Sequence, residues 1–596
     1  LKSIKLEFLS ERCIFVASLT IQNRMWSSFF RKKSIDKIIA DQLEIESIEG
    51  NSMDRNLGVR DLTFMGVAAI IGASIFSAIG QASANGGPAV SMLFVFTAMA
   101  CMFTAFCYAR FAATVPISGS AYTYAYTSLG EIVAWILGWN LLLEYAISNV
   151  AVAISWSKYF VDLLEGLGIH VPEFMTMDYL SAKRAFVETT SSLASGQKFE
   201  ALSVNLREGF TAYQSAPTIF GWHFVANIPA LLITVAITYL VYIGIRESKN
   251  TNNILVMLKL LVIMIVVGVG AFYVQVENWT PFAPNGISGV LKSVAAVCFA
   301  YIGFDSISTT AEECKNPQRD IPKAMMYALI ICTVLYVLVT LVLTGIVPSK
   351  NLAGIEDPLA FMFMQVGLPG VAGIVAASAV IALTSALLVY QLGQPRIWMT
   401  MSRDGLLPKA FSRIHPKYRT PSFSTIMTGV LVGIPALFAN LEEVINLSSI
   451  GTLFAFVLVC GGVLVLDLDP ENQKKSKFKI PYINSSYYVG LSLILAIGLI
   501  SYSGVNLVEW LQGLYLGAAK ADHFIMGGFF LIWAAMSFFC VTKKLSLIPV
   551  LGLLVNLYLM TQMGSTNWER FMYWCLAGVV IYFGYSYRKS KLNIKA

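Results

Sequence analysis

Three ionisable residues stand inside runs of apolar sequence, and their types define the chemistry available there. Lys259 lies nine residues beyond Asn250 among Ile, Leu, Val and Met. That places it roughly 14 Å along a helix axis, near the centre of a hydrocarbon core about 30 Å thick. Unless it snorkels from a span that starts later, a cation at that depth faces the protein interior, where it can exchange a proton or donate to backbone carbonyls. Glu144, within Gly138-Trp139-Asn140-Leu141-Leu142-Leu143-Glu144-Tyr145, and Asp305 are the other ionisable groups well inside such runs. A carboxylate in hydrocarbon is costly unless paired, protonated or hydrated, so each reads as a candidate gate or proton relay. Asp305 has a second reading as a helix cap, and Glu144 as a hydrogen-bond partner of a neighbouring helix.

The elements that must position these groups are themselves interrupted. The first apolar run carries Ile70-Ile71-Gly72-Ala73-Ser74-Ile75-Phe76, with small residues where a spanning helix packs large ones, and a second break recurs at Phe299-Ala300-Tyr301-Ile302-Gly303-Phe304-Asp305. A spanning segment satisfies its own backbone hydrogen bonds unless it lines a protein-enclosed cavity, so two broken helices point to a binding site at the membrane midplane. Amides freed around Gly72, Ala73 and Ser74 begin a half-helix whose positive end suits a carboxylate. Freed carbonyls of Phe299, Ala300 and Ile302 can accept from an ammonium. Together they describe an amino-acid zwitterion. The competing reading is that Gly72 and Gly303 only let helices pack closely. Four complete spans separate the breaks, which makes helices one and six equivalent members of two five-helix units, the second inverted. Tyr390, ahead of Gly393-Gln394-Pro395-Arg396, fills the side-chain pocket if it faces the site and otherwise packs against lipid or helices.

Composition sets the class. With 56% hydrophobic and 13% charged residues and a mean hydropathy of +0.67, the 596-residue chain reads as an all-α polytopic membrane protein. Apolar runs long enough to cross a bilayer fall at 62–83, 89–113, 132–163, 227–245, 252–275, 289–312, 325–347, 369–396, 422–439, 443–466, 487–504, 523–541, 545–562 and 571–587, which predicts fourteen helices. With a cytoplasmic N-terminus, the basic residues between spans fall almost entirely inside, and the short outer loops hold only Lys350, Lys520 and Arg570. The net charge of +7 is therefore an orientation signal, and nucleic acid is excluded as a partner. Four scattered histidines and nine cysteines without a Cys-x-x-Cys predict neither a metal nor any other cofactor. A Gly-x-x-x-x-Gly-Lys-Ser/Thr loop for ATP is likewise missing.

The chain divides into a cytoplasmic N-terminal segment (1–60), a transport core (61–466), a cytoplasmic linker (467–485), four additional helices (486–588) and a cytoplasmic tail (589–596). Residues 1–24 read as an upstream extension, because an interfacial aromatic and basic anchor begins at Met25-Trp26. The hydrophilic stretch 164–226 is expected outside, as a cap without transport chemistry.

Four separated motifs carry a family resemblance: the two breaks, Gly138 through Tyr145, and Met401-Ser402-Arg403-Asp404-Gly405-Leu406-Leu407-Pro408. Over roughly residues 30–590 the chain resembles the amino acid-polyamine-organocation superfamily, in the branch of cationic amino acid transporters and their bacterial relatives. The resemblance implies the inverted-repeat fold with fourteen helices, no sodium requirement and Lys259 as the membrane lysine of proton-coupled members. It also implies that Ile70, Ala73 and Ser74, with Phe299, Ala300 and Ile302, contact the substrate's alpha groups. Family members often carry Gly where this chain has Ser74, which leaves substrate choice open.

The expectation is a proton-coupled L-amino acid importer of the plasma (inner) membrane working by alternating access, with substrate, protons and the bilayer as its partners. Obligatory exchange and a membrane amino-acid sensor without net flux are the alternatives. An enzyme is excluded for want of a nucleophile–base pair, metal or cofactor loop.

Overall fold

The computed structural model describes residues 31–33, 57–114, 120–219, 221–244, 249–468, 478–502 and 521–594. The expected upstream extension, 1–24, and most of the N-terminal segment lie outside the described residues.

The chain enters through α1 (Val59–Ile70), whose start is closed by Asp61 accepting from the Gly58 amide at 3.0 Å. A break follows, then a π-helical turn, Ser74–Ala78, and α2 (Ile79–Gly86). Gly87, at φ 64°, opens a 3₁₀ turn, Gly87–Ala89, that leads into α3 (Val90–Thr114). On α3, Met92, Val95, Phe96 and Met99 are exposed at i, i+3, i+4 and i+7, one helical face offered to lipid. Next come α4 (Ser120–Ser128) and the long α5 (Glu131–Gly166). Helices α6 (Tyr179–Ala194) and α7 (Val204–Ser215) form a hairpin around Ala182, Ala212, Ala216 and Val225, followed by a two-stranded ribbon, Thr218–Ile219 with Trp222–His223. This is the insertion 164–226, into which α5 runs on for a few residues. Its contacts reach Glu443 from Arg184 at 3.4 Å and the Ala353 carbonyl from Asn205 at 3.1 Å.

α8 (Ile228–Tyr242) starts at Asn227, whose side chain accepts from the Ala230 amide, and α9 (Lys249–Gly270) carries Lys259. The second interrupted element consists of α10 (Gly286–Lys292), α11 (Val294–Phe299), the break, and a ten-residue 3₁₀ segment, Phe304–Glu313. Then follow α12 (Pro317–Ile346), α13 (Pro358–Gln365), α14 (Pro369–Arg403), α15 (Ser422–Phe438) and α16 (Leu441–Asp467). The last helices are α17 (Ser486–Tyr502), α18 (Ala521–Lys543), α19 (Leu547–Thr561) and α20 (Ser565–Ile581). A single large apolar core unites α1–α5 and α8–α16 and takes in Leu559 and Met560 of α19 and Phe571 of α20, while Leu464, Val489, Cys540 and Val550 are among the side chains of a smaller cluster between α16, α17, α18 and α19. Eight cysteines are described, all free, seven of them buried and Cys575 half-buried.

The protein is a mostly helical, multi-pass membrane protein. Among the described residues eight helices are long and apolar enough to cross a membrane, nine if Leu547–Thr561 and Ser565–Lys589, bent by 114°, form one broken span. Every one of the fourteen apolar runs overlaps a helix. The length-based count is lower because α1 is only 12 residues long before its break, Ser74–Thr114 runs on as one apolar stretch, and three apolar helices are shorter than 18 residues.

Candidate functional site

The two breaks meet. At one end, the Lys315 amide donates to the Leu57 carbonyl at 3.0 Å, pairing the start of α1 with the end of the 3₁₀ segment. At the other, Ser293 Oγ donates to the Ala82 carbonyl and Asn285 Nδ2 to the Asn85 carbonyl, both at 2.8 Å. Residues 57–86 and 285–315 therefore lie antiparallel, with Ile70–Ser74 facing Phe299–Gly303 at the crossing. Gly303 fixes that approach, since a Cβ there would lie 3.0 Å from the backbone carbon and oxygen of Ala69. Gly72 is different: a Cβ would meet only Ala386 Cβ, at an ordinary 3.6 Å. Close packing thus explains Gly303 but not Gly72.

Sequence reasoning missed the residue that ties the breaks together. Tyr336, fully buried on α12, brings its hydroxyl to the Ile70 carbonyl (3.0 Å), the Ala300 carbonyl (2.8 Å) and Ser74 Oγ (2.8 Å). Ser74 Oγ also lies 2.9 Å from the Ile70 carbonyl. The hydroxyl at Ser74 is therefore turned onto the break itself. A tyrosine inside an apolar span signals that its hydroxyl demands a polar partner, but not which partner it finds. Two further tyrosines follow the same rule: Tyr159 Oη donates to the Phe76 carbonyl at 2.6 Å, and Tyr301 Oη to the Phe94 carbonyl at 2.9 Å. Tyr336→Phe is expected to destabilise the protein by about 1–3 kcal/mol, the cost of stranding buried oxygens. Combined with Ser74→Gly it should cost less than the sum of the two, because the hydroxyls share partners. Thermal unfolding of both single variants and the double variant measures this; strict additivity would mean that they act separately.

Of the carbonyls expected to be free, that of Ala300 faces Tyr336 and that of Phe299 accepts from the Ile302 amide at 3.2 Å. On the opposite side the Gly72 amide, expected to be free, donates to the Ile70 carbonyl at 3.0 Å, and Ser74 opens the π-helical turn, where the first amides of a helix lack intrahelical acceptors. Ile70, Ala73, Ser74, Phe299, Ala300 and Ile302 are all buried around this crossing.

Lys259 reaches the same place from α9. It is 2% exposed, and its ammonium lies 3.5 Å from the carbonyls of both Ala68 and Ile71, the last turn of α1. These are long contacts to the acceptor end of a helix, where a cation is favourable. The side chain does not snorkel.

Glu144 and Asp305 are each 2% exposed and within electrostatic reach of one another, with Tyr108 and Tyr145 beside both. Asp305 stands in the first turn of the 3₁₀ segment, near the backbone of Gly303 and Ser306, and the N-cap itself is Gly303. Glu144 has the Thr452 hydroxyl of α16 as a neighbour. Tyr390 is 8% exposed, packs edge-on against Tyr145 at 5.8 Å, and lies in the neighbourhood of Tyr336, Glu144 and Asp305. It faces the protein interior, not lipid.

A second polar junction closes one end of the bundle. Glu131, fully buried, accepts from Tyr126 Oη (3.1 Å), Tyr582 Oη (3.1 Å) and Ser590 Oγ (2.6 Å). Its amide donates to the Arg31 carbonyl. Beside it Asp404 pairs with Lys33 at 3.0 Å and accepts from Tyr122 Oη at 2.9 Å, and its carbonyl takes the Lys591 amide. Residues 31–33, α4, the starts and ends of long spans and the C-terminal segment thus converge on two carboxylates.

Antiparallel broken helices joined inside a polytopic bundle define a membrane transporter. The family profile described as Amino acid permease matches residues 57–582, and the chain belongs to that family, within the amino acid-polyamine-organocation superfamily. It is 37% identical over 569 residues to the branched-chain amino acid permease BcaP of Bacillus subtilis (strain 168), covering 96% of this chain and all of the relative. It is 38% identical over 458 residues to the methylthioribose transporter of the same organism, covering 77% of this chain and 89% of that one. Cationic amino acid transporter 9, chloroplastic, of Arabidopsis thaliana is 31% identical over 579 residues, 94% of each chain. These relatives are transporters and permeases, and the protein is not an enzyme.

Proposed function

We propose that this protein imports L-amino acids by proton-coupled alternating access across the plasma (inner) membrane. In this reading a core of two inverted five-helix units is followed by four further helices, fourteen crossings in all, with both termini cytoplasmic and the hairpin 164–226 outside. The observation that carries it is the crossing of the two breaks. On one side the turn at Ser74 offers helix-start amides to a carboxylate. On the other side lies an oxygen-rich cluster. Ile70 O, Ala300 O, Ser74 Oγ and Tyr336 Oη make four contacts of 2.8–3.0 Å with only two hydroxyl hydrogens between them. Acceptor capacity is in surplus there, and an ammonium supplies the missing donors. Lys259, on the α1 carbonyls one turn away, is the group whose protonation biases the hold on the broken helix. Glu144 and Asp305 serve as gate or relay, and Tyr390 bounds the side-chain pocket.

Uptake into proteoliposomes tests this, using labelled branched-chain and cationic L-amino acids with and without an inward proton gradient. Accumulation that requires the gradient is the expected result. Counterflow without any gradient would instead make the protein an exchanger, and binding without flux a sensor. Methylthioribose belongs in the same panel, because the relative bearing that name is as similar as the permease and a ribose offers hydroxyls to the same backbone groups. Esterifying the substrate carboxylate should abolish competition for uptake. An ester that competes as well as the free acid removes the role given to the Ser74 turn.

A further inference from the structure

Away from the crossing, a cavity of about 440 Å³ opens where three spans end. Arg110 lies one turn before the end of Ser74–Thr114, Asp467 ends Leu441–Asp467, and Lys543 ends His523–Lys543. That depth is the boundary between hydrocarbon and water. Lys479 and Lys544 complete the charged lining. Arg110 is 3% exposed and held in place: Nε and Nη2 reach one Asp467 oxygen at 3.3 and 3.1 Å, and Nη1 donates to the Phe478 carbonyl at 3.0 Å. This pair forms a neutral floor. The three lysines are exposed above it, so among the described residues the lining carries an excess positive charge of three. On the wall, Ser546 Oγ is buried and has no hydrogen-bond partner among the described residues.

The remaining wall is apolar, with Leu464, Leu468 and Leu545. Next to the mouth the surface stays apolar, since Leu468, Val541 and Phe538 are more than half exposed on the spans that end there. A soluble anion would use the lysines and leave that greasy margin in water. A ligand with a phosphate at one end and hydrocarbon at the other uses both. We propose that the bowl between α3, α16, α18 and the 478–482 segment binds the phosphate headgroup of an anionic phospholipid, its chains lying along the exposed apolar faces of α16 and α18. Ser546 Oγ donates to a phosphate oxygen, and the three lysines supply charge at the leaflet surface, where basic residues attract anionic lipid.

The test uses the full chain, purified in neutral detergent and titrated with phosphatidylglycerol or phosphatidylcholine, with bound lipid counted by native mass spectrometry. Wild type is expected to retain phosphatidylglycerol at least tenfold better than phosphatidylcholine. Lys479→Gln/Lys543→Gln/Lys544→Gln should lose that preference, and the corresponding triple arginine variant should keep it. Arg110 and Asp467 stay untouched, so an unchanged thermal midpoint separates lost binding from lost fold. Millimolar inorganic phosphate should fail to compete. Equal retention of both lipids, an unaffected glutamine variant, or displacement by inorganic phosphate each overturns the proposal, the last by making the site one for a soluble anion. None of these readouts depends on amino-acid uptake.

Discussion

Lys259→Ala should reduce gradient-driven accumulation to the level set by the substrate gradient alone, a ratio of about one between inside and outside, while substrate binding survives. The reason is positional. The ammonium lies on the Ala68 and Ile71 carbonyls, at the α1 edge of the crossing, whereas the alpha carboxylate and ammonium are proposed to be held by the Ser74 turn and by Ile70 O, Ala300 O and Tyr336 Oη. What disappears is the lysine that, among the described residues, is proposed to alter the grip on α1 through its charge state during a cycle. A ligand or proton shifts a conformational equilibrium only by the difference in its affinity for the two states, and without the amine that difference has no proton in it. Lys259→Arg should fail to accumulate as well, since a guanidinium stays charged at any working pH. The measurement is uptake against a concentration gradient at imposed proton gradients, with binding assayed separately by equilibrium dialysis. Undiminished proton-driven accumulation by Lys259→Ala rules the role out.

Gly303→Ala should be far more damaging than the same change at Gly72, the other glycine of the crossing. Two costs coincide there. The backbone is left-handed, with φ 105°, where an L side chain is strained by about 1–2 kcal/mol. The new Cβ would also sit 3.0 Å from Ala69 backbone atoms, which cannot swing aside, and overpacking of that kind costs about 1–3 kcal/mol. Together a destabilisation of roughly 2–5 kcal/mol is expected, with loss of uptake, because relief requires the two broken helices to move apart at their crossing. Gly72→Ala is the control. Its backbone is not left-handed and its Cβ meets ordinary van der Waals contact, so its thermal midpoint should stay close to wild type. Equal stability of the two variants would show that the crossing is not the tight joint described here.

Much of this was legible in the residues. Hydropathy alone located the helices, because a bilayer imposes one length and one polarity on every crossing. The breaks were legible because Gly72-Ala73-Ser74 and the Gly303 region interrupt runs that have no other reason to be small. Lys259 was legible because a lysine ten residues into an apolar helix has few places to go. Ser74 was half legible: the resemblance implied a residue at the substrate's alpha groups and left the effect of its side chain open, and the hydroxyl turns back onto Ile70 O and Tyr336. Tyr336 itself was not, since nothing in Leu335-Tyr336-Val337 tells which of many buried tyrosines meets two backbone carbonyls from distant segments. That depends on the angle at which α12 crosses the breaks, a property of packing and not of local sequence. The Glu131 junction was hidden for the same reason, its partners being separated by up to 459 residues.

That separation has a bearing on how the chain is made. Helices of a polytopic protein leave the ribosome in order, and an early segment waits for later ones before its partners exist. When α5 is first inserted, Glu131 can be met only by Tyr126 and by the backbone of Arg31. Tyr582 and Ser590 arrive 451 and 459 residues later. The side of the bundle around Glu131 therefore stays open while more than four hundred residues are made, and is sealed only when residues 582–590 dock. A chain interrupted before Tyr582 carries an unsealed mouth that distinguishes it from one that has passed Ser590.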